Sequence, residues 1–114
     1  MPKLGLGTWM LDDEQTAQAV RAVISLGYRH IDTAQIYMNE AGVGKAILSC
    51  GVAIKELFIT TKVAAEVKNY DAVTQSIHES LAKLVNQCKR TRTYTFCNPR
   101  LARIFYYGFS QLSA

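Results

Sequence analysis

The strongest constraint on this chain is a regular switching between two hydrophobic periods. Leu4-Gly5-Leu6 is a short apolar stretch of strand character. Ala17, Val20, Val23, Ile24 and Leu26 then recur at helical spacing, with Asp12 or Asp13 as the cap and Gly27 as the stop. Tyr28 to Ile31 reads as a second strand ending at Asp32. Asn39-Glu40 opens a second helix, with Val43, Ala46, Ile47 and Leu48 on one side and Gly51 at its close. Leu57-Phe58-Ile59-Thr60-Thr61, dense in β-branched and aromatic residues, is the clearest strand and ends at Lys62. Asp71 caps a third helix that carries Val73, Ile77, Leu81 and Leu84 on one face. Strand–helix repeated three times, in units of roughly 25–30 residues, is the rhythm of a parallel α/β fold. In such folds the residues just past the strand ends share one face, where active sites form. Asp32 and Lys62 both stand at such ends.

Tyr37 lies in the loop after Asp32, so the three polar groups can converge if the two strands are parallel neighbours. A nearby ammonium stabilises a phenolate, which is what a tyrosine becomes when it gives up a proton as a general acid. Asp32 would hold that lysine charged and oriented. The same spacing equally suits a Lys–Asp ion pair that caps a sheet, with Tyr37 merely packing beside it.

Charge divides the chain. Residues 1–84 carry eight Lys/Arg against nine Asp/Glu, whereas residues 85–114 carry five Lys/Arg and no acid. The net charge of +4 therefore belongs to the tail. A basic tail attracts phosphates through charge alone, but it contains no recognised nucleic-acid motif, and a solvated segment explains it as well. Cys50, Cys88 and Cys97 form an odd set without a C-x-x-C pair, which argues against a disulfide framework and against a zinc site. No apolar run is long enough to span a bilayer, and Met1 to Gly7 lacks a secretory core, so the expectation is a cytoplasmic protein with neither nucleic-acid nor membrane partner.

The wording of "GYRHIDTAQIYMNEAGVG", Gly27 to Gly44, resembles the signature of the aldo-keto reductases at every fixed position. "GLGTW" at Gly5–Trp9 resembles the family's first strand and turn, "KELFITTK" at Lys55–Lys62 its third strand, and "SLAKL" at Ser80–Leu84 the following helix. The resemblance covers residues 4–84. It implies the N-terminal portion of a (β/α)8 TIM barrel, about three βα units of an incomplete barrel. It also implies hydride transfer between NADPH, or NADH, and an aldehyde or ketone, an oxidoreductase activity on CH–OH donors that needs no metal. The family's catalytic set is Asp, Tyr, Lys and His. Asp32, Tyr37 and Lys62 match the first three, with Tyr37 as proton donor. Gly7, Thr8, Trp9 and Asp32 match the positions near nicotinamide and substrate. His30 belongs to the signature but reads as a packed strand residue.

The sequence departs from that pattern at three places. Ala64 stands where many members have an aromatic. The stretch resembling "DYVDLYLIHWP", which carries the catalytic histidine, is absent, and His78 inside the third helix cannot replace it. Strands five to eight are missing too. Joining the third base of each degenerate codon from Arg90 to Asn98 with the first two of the next permits "Y-A-D-L-Y-L-L-Q", close to the family's fourth strand. The expectation is an aldo-keto reductase segment over residues 1–84, followed by a basic tail, 85–114, that is out-of-frame or disordered. Such a truncated product would have little activity. The alternatives are an inactive chain, or a binding module that uses the aromatic-basic tail. Unpaired parallel edges also predict marginal stability and self-association.

Overall fold

A computed structural model describes residues 2–84 and the backbone of residues 103–105. The elements are β1 (Leu6–Gly7), α1 (Asp13–Ser25), β2 (His30–Asp32), α2 (Glu40–Ser49), β3 (Phe58–Lys62), α3 (Tyr70–Leu84) and β4 (Arg103–Phe105). Two single-turn 3-10 segments, Gln35–Tyr37 and Ile54–Glu56, lie between them. The four strands form one parallel sheet in chain order. Among the described residues the result is an open sheet with three βα units, the N-terminal part of a barrel rather than a closed one. β4 falls within the basic tail. The expectation that this tail is out-of-frame or disordered otherwise lies outside the described residues, as do Cys88 and Cys97.

Each helix starts and stops for a local reason. Asp12 caps α1: its Oδ1 accepts from the Gln15 amide at 2.8 Å, and Gln15 Oε1 accepts from the Asp12 amide at 3.2 Å. Gly27 follows at a φ of +99°, the left-handed conformation that ends helices and that glycine adopts without strain. The cap of α3 differs from the sequence expectation. Asn69 Oδ1 accepts from the Ala72 amide at 2.7 Å, so Asn69 is the cap and Asp71 sits in the first turn. There its negative charge complements the helix dipole instead.

Register decides which side chains meet. Leu6 pairs with Ile31 and Gly7 with Asp32, while Ile31 pairs with Ile59 and Asp32 with Thr60. Successive strand residues alternate faces, so Ile31 and Ile59 turn towards the helices. There they join Ala17, Val20 and Ile24 of α1, Val43, Ala46 and Ile47 of α2, Leu57, and Leu84 of α3. Complete burial of Val20 and Ile31 contributes about 1.5–3 kcal/mol each. The other face carries His30, Asp32, Phe58, Thr60 and Lys62, and no helix among the described residues covers it.

Glycines set how closely the helices pack. The Gly42 amide donates to Asp13 Oδ1 at 2.9 Å, fastening the start of α2 to the start of α1. A Cβ on Gly44 would overlap the carbonyl oxygen of Lys83, so α2 meets the end of α3 nearly backbone to backbone. No helix among the described residues is long and apolar enough to cross a membrane.

Candidate active site

Two buried polar networks hold the loops at the strand ends. In the first, the Thr8 hydroxyl donates to Thr33 Oγ1 at 2.9 Å, and Thr33 donates to Asn39 Oδ1 at 3.0 Å. Asn39 Nδ2 spends both hydrogens on backbone, at 2.6 Å to Thr8 O and 3.0 Å to Leu11 O. All three side chains are fully buried. The turn after β1 is thereby tied to the loop after β2. Thr8, expected beside the cofactor, has its hydroxyl committed to this network.

The second network surrounds Glu40, which is itself buried. Its Oε1 accepts from the Thr61 hydroxyl and its Oε2 from the Ser80 hydroxyl, the latter at 3.1 Å. Gln35 lies alongside, bonded to the Ala64 amide, to Ser76 O and to Ser80. The sequence marked Asn39 only as the opening of a helix and gave no role to Gln35 or Ser80. Buried polar side chains near strand ends were the only available signal.

These networks leave Asp32, Tyr37 and Lys62 together on the sheet face opposite the core. Lys62 Nζ donates to Asp32 Oδ1 at 2.6 Å and to Thr33 O at 3.2 Å. It lies 5.4 Å from the centre of the Tyr37 ring, a cation–π contact. The pair is reachable from solvent, with side-chain exposures of 25% for Lys62 and 39% for Asp32. A short charge-assisted hydrogen bond fixes the ammonium beside the tyrosine ring. His30 is packed as the sequence suggested: its ring meets Phe58 edge-on at 5.0 Å, its Nε2 lies 3.2 Å from Thr60 Oγ1, and Gly5 leaves room for it. His78 is exposed on α3, away from these groups.

The rim is apolar. Trp9, Met10, Ile36 and Met38 are exposed in the loops after β1 and β2, Trp9 by 70%. Met10 and Met38 hold φ values of 64° and 56°, a left-handed conformation that is uncommon for residues other than glycine. A Cβ on Gly7 would meet nothing within 4 Å, so the face beside Asp32 has open space. No group of three or more His, Cys, Asp or Glu that could hold a metal occurs among the described residues.

The family model described as "Aldo/keto reductase family" matches residues 3–94. This chain belongs to that family. Methylglyoxal reductase DkgB of Salmonella typhimurium is 49% identical over 84 residues, 74% of this chain and 32% of that protein. The aldo/keto reductase structure from Brucella melitensis superimposes with a TM-score of 0.72 at 43% identity, covering 74% of this chain and 32% of that one. A Bombyx mori aldo-keto reductase solved in complex with NADP gives a TM-score of 0.69 at 38% identity, over 74% and 31%. This aldo-keto reductase chain spans about a third of the length of the curated relatives it matches.

Proposed function

We propose that this aldo-keto reductase chain carries the proton-donating half of an NADPH-dependent carbonyl reductase site, with small aldehydes or ketones as substrates. The carrying observation is the Lys62 ammonium held 2.6 Å from Asp32 and 5.4 Å from the Tyr37 ring. When bound, NADPH supplies the hydride that reduces the carbonyl carbon. Tyr37 then gives its hydroxyl proton to the carbonyl oxygen, completing the alcohol. Lys62 stabilises the phenolate left behind, and Asp32 keeps Lys62 oriented. The open space at Gly7, beside Asp32 and near exposed Trp9, suits the flat nicotinamide end of the cofactor. The exposed apolar residues Trp9, Ile36 and Met38 suit a small carbonyl compound better than a charged polymer. The name of the DkgB relatives makes methylglyoxal a reasonable first substrate.

We read residues 85–114 as an out-of-frame continuation of the segment over residues 1–84. On this reading the protein is cytoplasmic, its activity is low, and its uncovered edges favour self-association. The nucleotide sequence from codon 80 onward decides whether a one-base shift restores a fourth strand.

The test of function is NADPH consumption by the purified chain with methylglyoxal and with 4-nitrobenzaldehyde. Turnover that disappears in Tyr37→Phe, while NADPH binding remains, is the expected result. Equal turnover by Tyr37→Phe overturns the role of Tyr37. No turnover by the parent chain identifies it as an inactive product of the family.

A further inference from the structure

We propose that Gln35 and Glu40 are positioning residues that set the separation of Tyr37 and Lys62 through a closed hydrogen-bond ring completed by Ser80. The inference rests on the reading of Tyr37 as proton donor and Lys62 as its cation. Neither Gln35 nor Glu40 bonds to either of those residues. They bracket Tyr37 in the chain, two residues before it and three after. Their partners bracket Lys62 in the same way: Thr61, one residue before, donates to Glu40, and the Ala64 amide, two residues after, donates to Gln35 Oε1 at 2.9 Å. Ser80 on α3 joins the two halves. It accepts from Gln35 Nε2 at 3.0 Å and donates to Glu40 Oε2 at 3.1 Å.

Donors and acceptors around this ring match without conflict. The Ala64 amide can only donate and the Ser76 carbonyl can only accept, so the Gln35 amide has one orientation. Its remaining N–H meets Ser80, whose own hydrogen then goes to Glu40. The Glu40 carboxyl receives two hydroxyl hydrogens and needs to donate none. No cation pairs with it among the described residues. Burying an acidic group without one is costly, and a packed apolar pair would hold β3 against α3 more cheaply. What the ring adds is a defined separation between two short segments, the Tyr37 turn and the end of β3. Those segments also meet where the Thr33 amide donates to Thr60 O at 2.7 Å and through the Lys62 contacts to Thr33 and Tyr37, and neither hydrogen bond fixes the Tyr37 turn beyond Ala34.

The test is NMR on the full chain with ring-labelled tyrosine, with Tyr37→Phe identifying the Tyr37 resonances. The readout is the nuclear Overhauser cross-peak between the Tyr37 ring and the ε-methylene of Lys62. Gln35→Met keeps length and volume but makes none of the three hydrogen bonds. The expected result is loss of this cross-peak while the amide spectrum of α1 and β2 stays that of the parent. A full cross-peak in folded Gln35→Met, or none in the parent, overturns the proposal. If Gln35→Met does not fold, Ser80→Ala opens the ring at its midpoint, with the same loss expected and the same persistence overturning it. A parent chain that reduces no aldehyde yet shows this pattern fails the functional reading alone.

Discussion

Asn39→Asp exchanges one NH2 for one oxygen at nearly constant shape, in a fully buried position between the first two loops of the site. In the parent, both Nδ2 hydrogens go to carbonyls, Thr8 O at 2.6 Å and Leu11 O at 3.0 Å. The substitution removes both donations, each with a net value of about 1 kcal/mol. It also turns an acceptor towards two carbonyl oxygens, and a stranded buried acceptor adds about 1–3 kcal/mol. The expected loss is about 3–5 kcal/mol at pH 8, a large share of the roughly 5–15 kcal/mol of a typical domain. Protonation of the new carboxyl restores one donation, so the folded chain holds that proton more tightly than the unfolded one. The carboxyl value is then raised on folding. The deficit is smallest below the unfolded value of about 3.9 and deepens by up to about 1.4 kcal/mol per pH unit until the raised folded value is passed. Urea unfolding followed by far-UV circular dichroism, parent and variant side by side at pH 5 and pH 8, reads this directly. An excluded osmolyte strengthens the baseline. A variant within about 0.5 kcal/mol of the parent at pH 8, or one relatively less stable at pH 5 than at pH 8, refutes the reasoning.

Gly44→Ala forces a Cβ into the Lys83 carbonyl, a backbone atom that cannot swing aside, and the expected destabilisation is about 1–3 kcal/mol in the same unfolding assay. On the surface, Lys45 lies 3.3 Å from Glu14, and that hydrogen bond, helped by Gln18, holds the Glu14 carboxyl below the usual carboxylate range. A lowered acid contributes stability that is present above its unfolded value and lost as pH falls through its folded one. Lys45→Ala should therefore move the Glu14 titration, followed by NMR, upwards, and added salt should shrink the difference because the pair is exposed.

The core and the charged pair of the site were legible because they follow from periodicity. Ile31 and Ile59 fall where a period of two predicts, and Asp32 and Lys62 stand at the ends of the two strands that the sequence pattern marks. Local competition hid other features. Asn69 and Asp71 are both good caps, and only the start of the helix separates them. The 3-10 turn that carries Tyr37 has no hydrophobic period to betray it. Thr8 matches the family's cofactor turn in sequence, yet its burial sends the hydroxyl inward. The Gln35–Ser80–Glu40 ring was illegible for a deeper reason. Its members come from three elements, and nothing in one segment announces the partner in another.

The hydrogen bonds that build this site join residues that are never far apart along the chain. Asp32 and Lys62 are 30 positions apart, and the widest bond of the ring, Gln35 to Ser80, spans 45. A ribosome adding about 5–20 residues per second delivers both partners of every such bond within roughly ten seconds. The chemistry of the site can thus be assembled during synthesis, unit by unit, without waiting for any strand that follows α3.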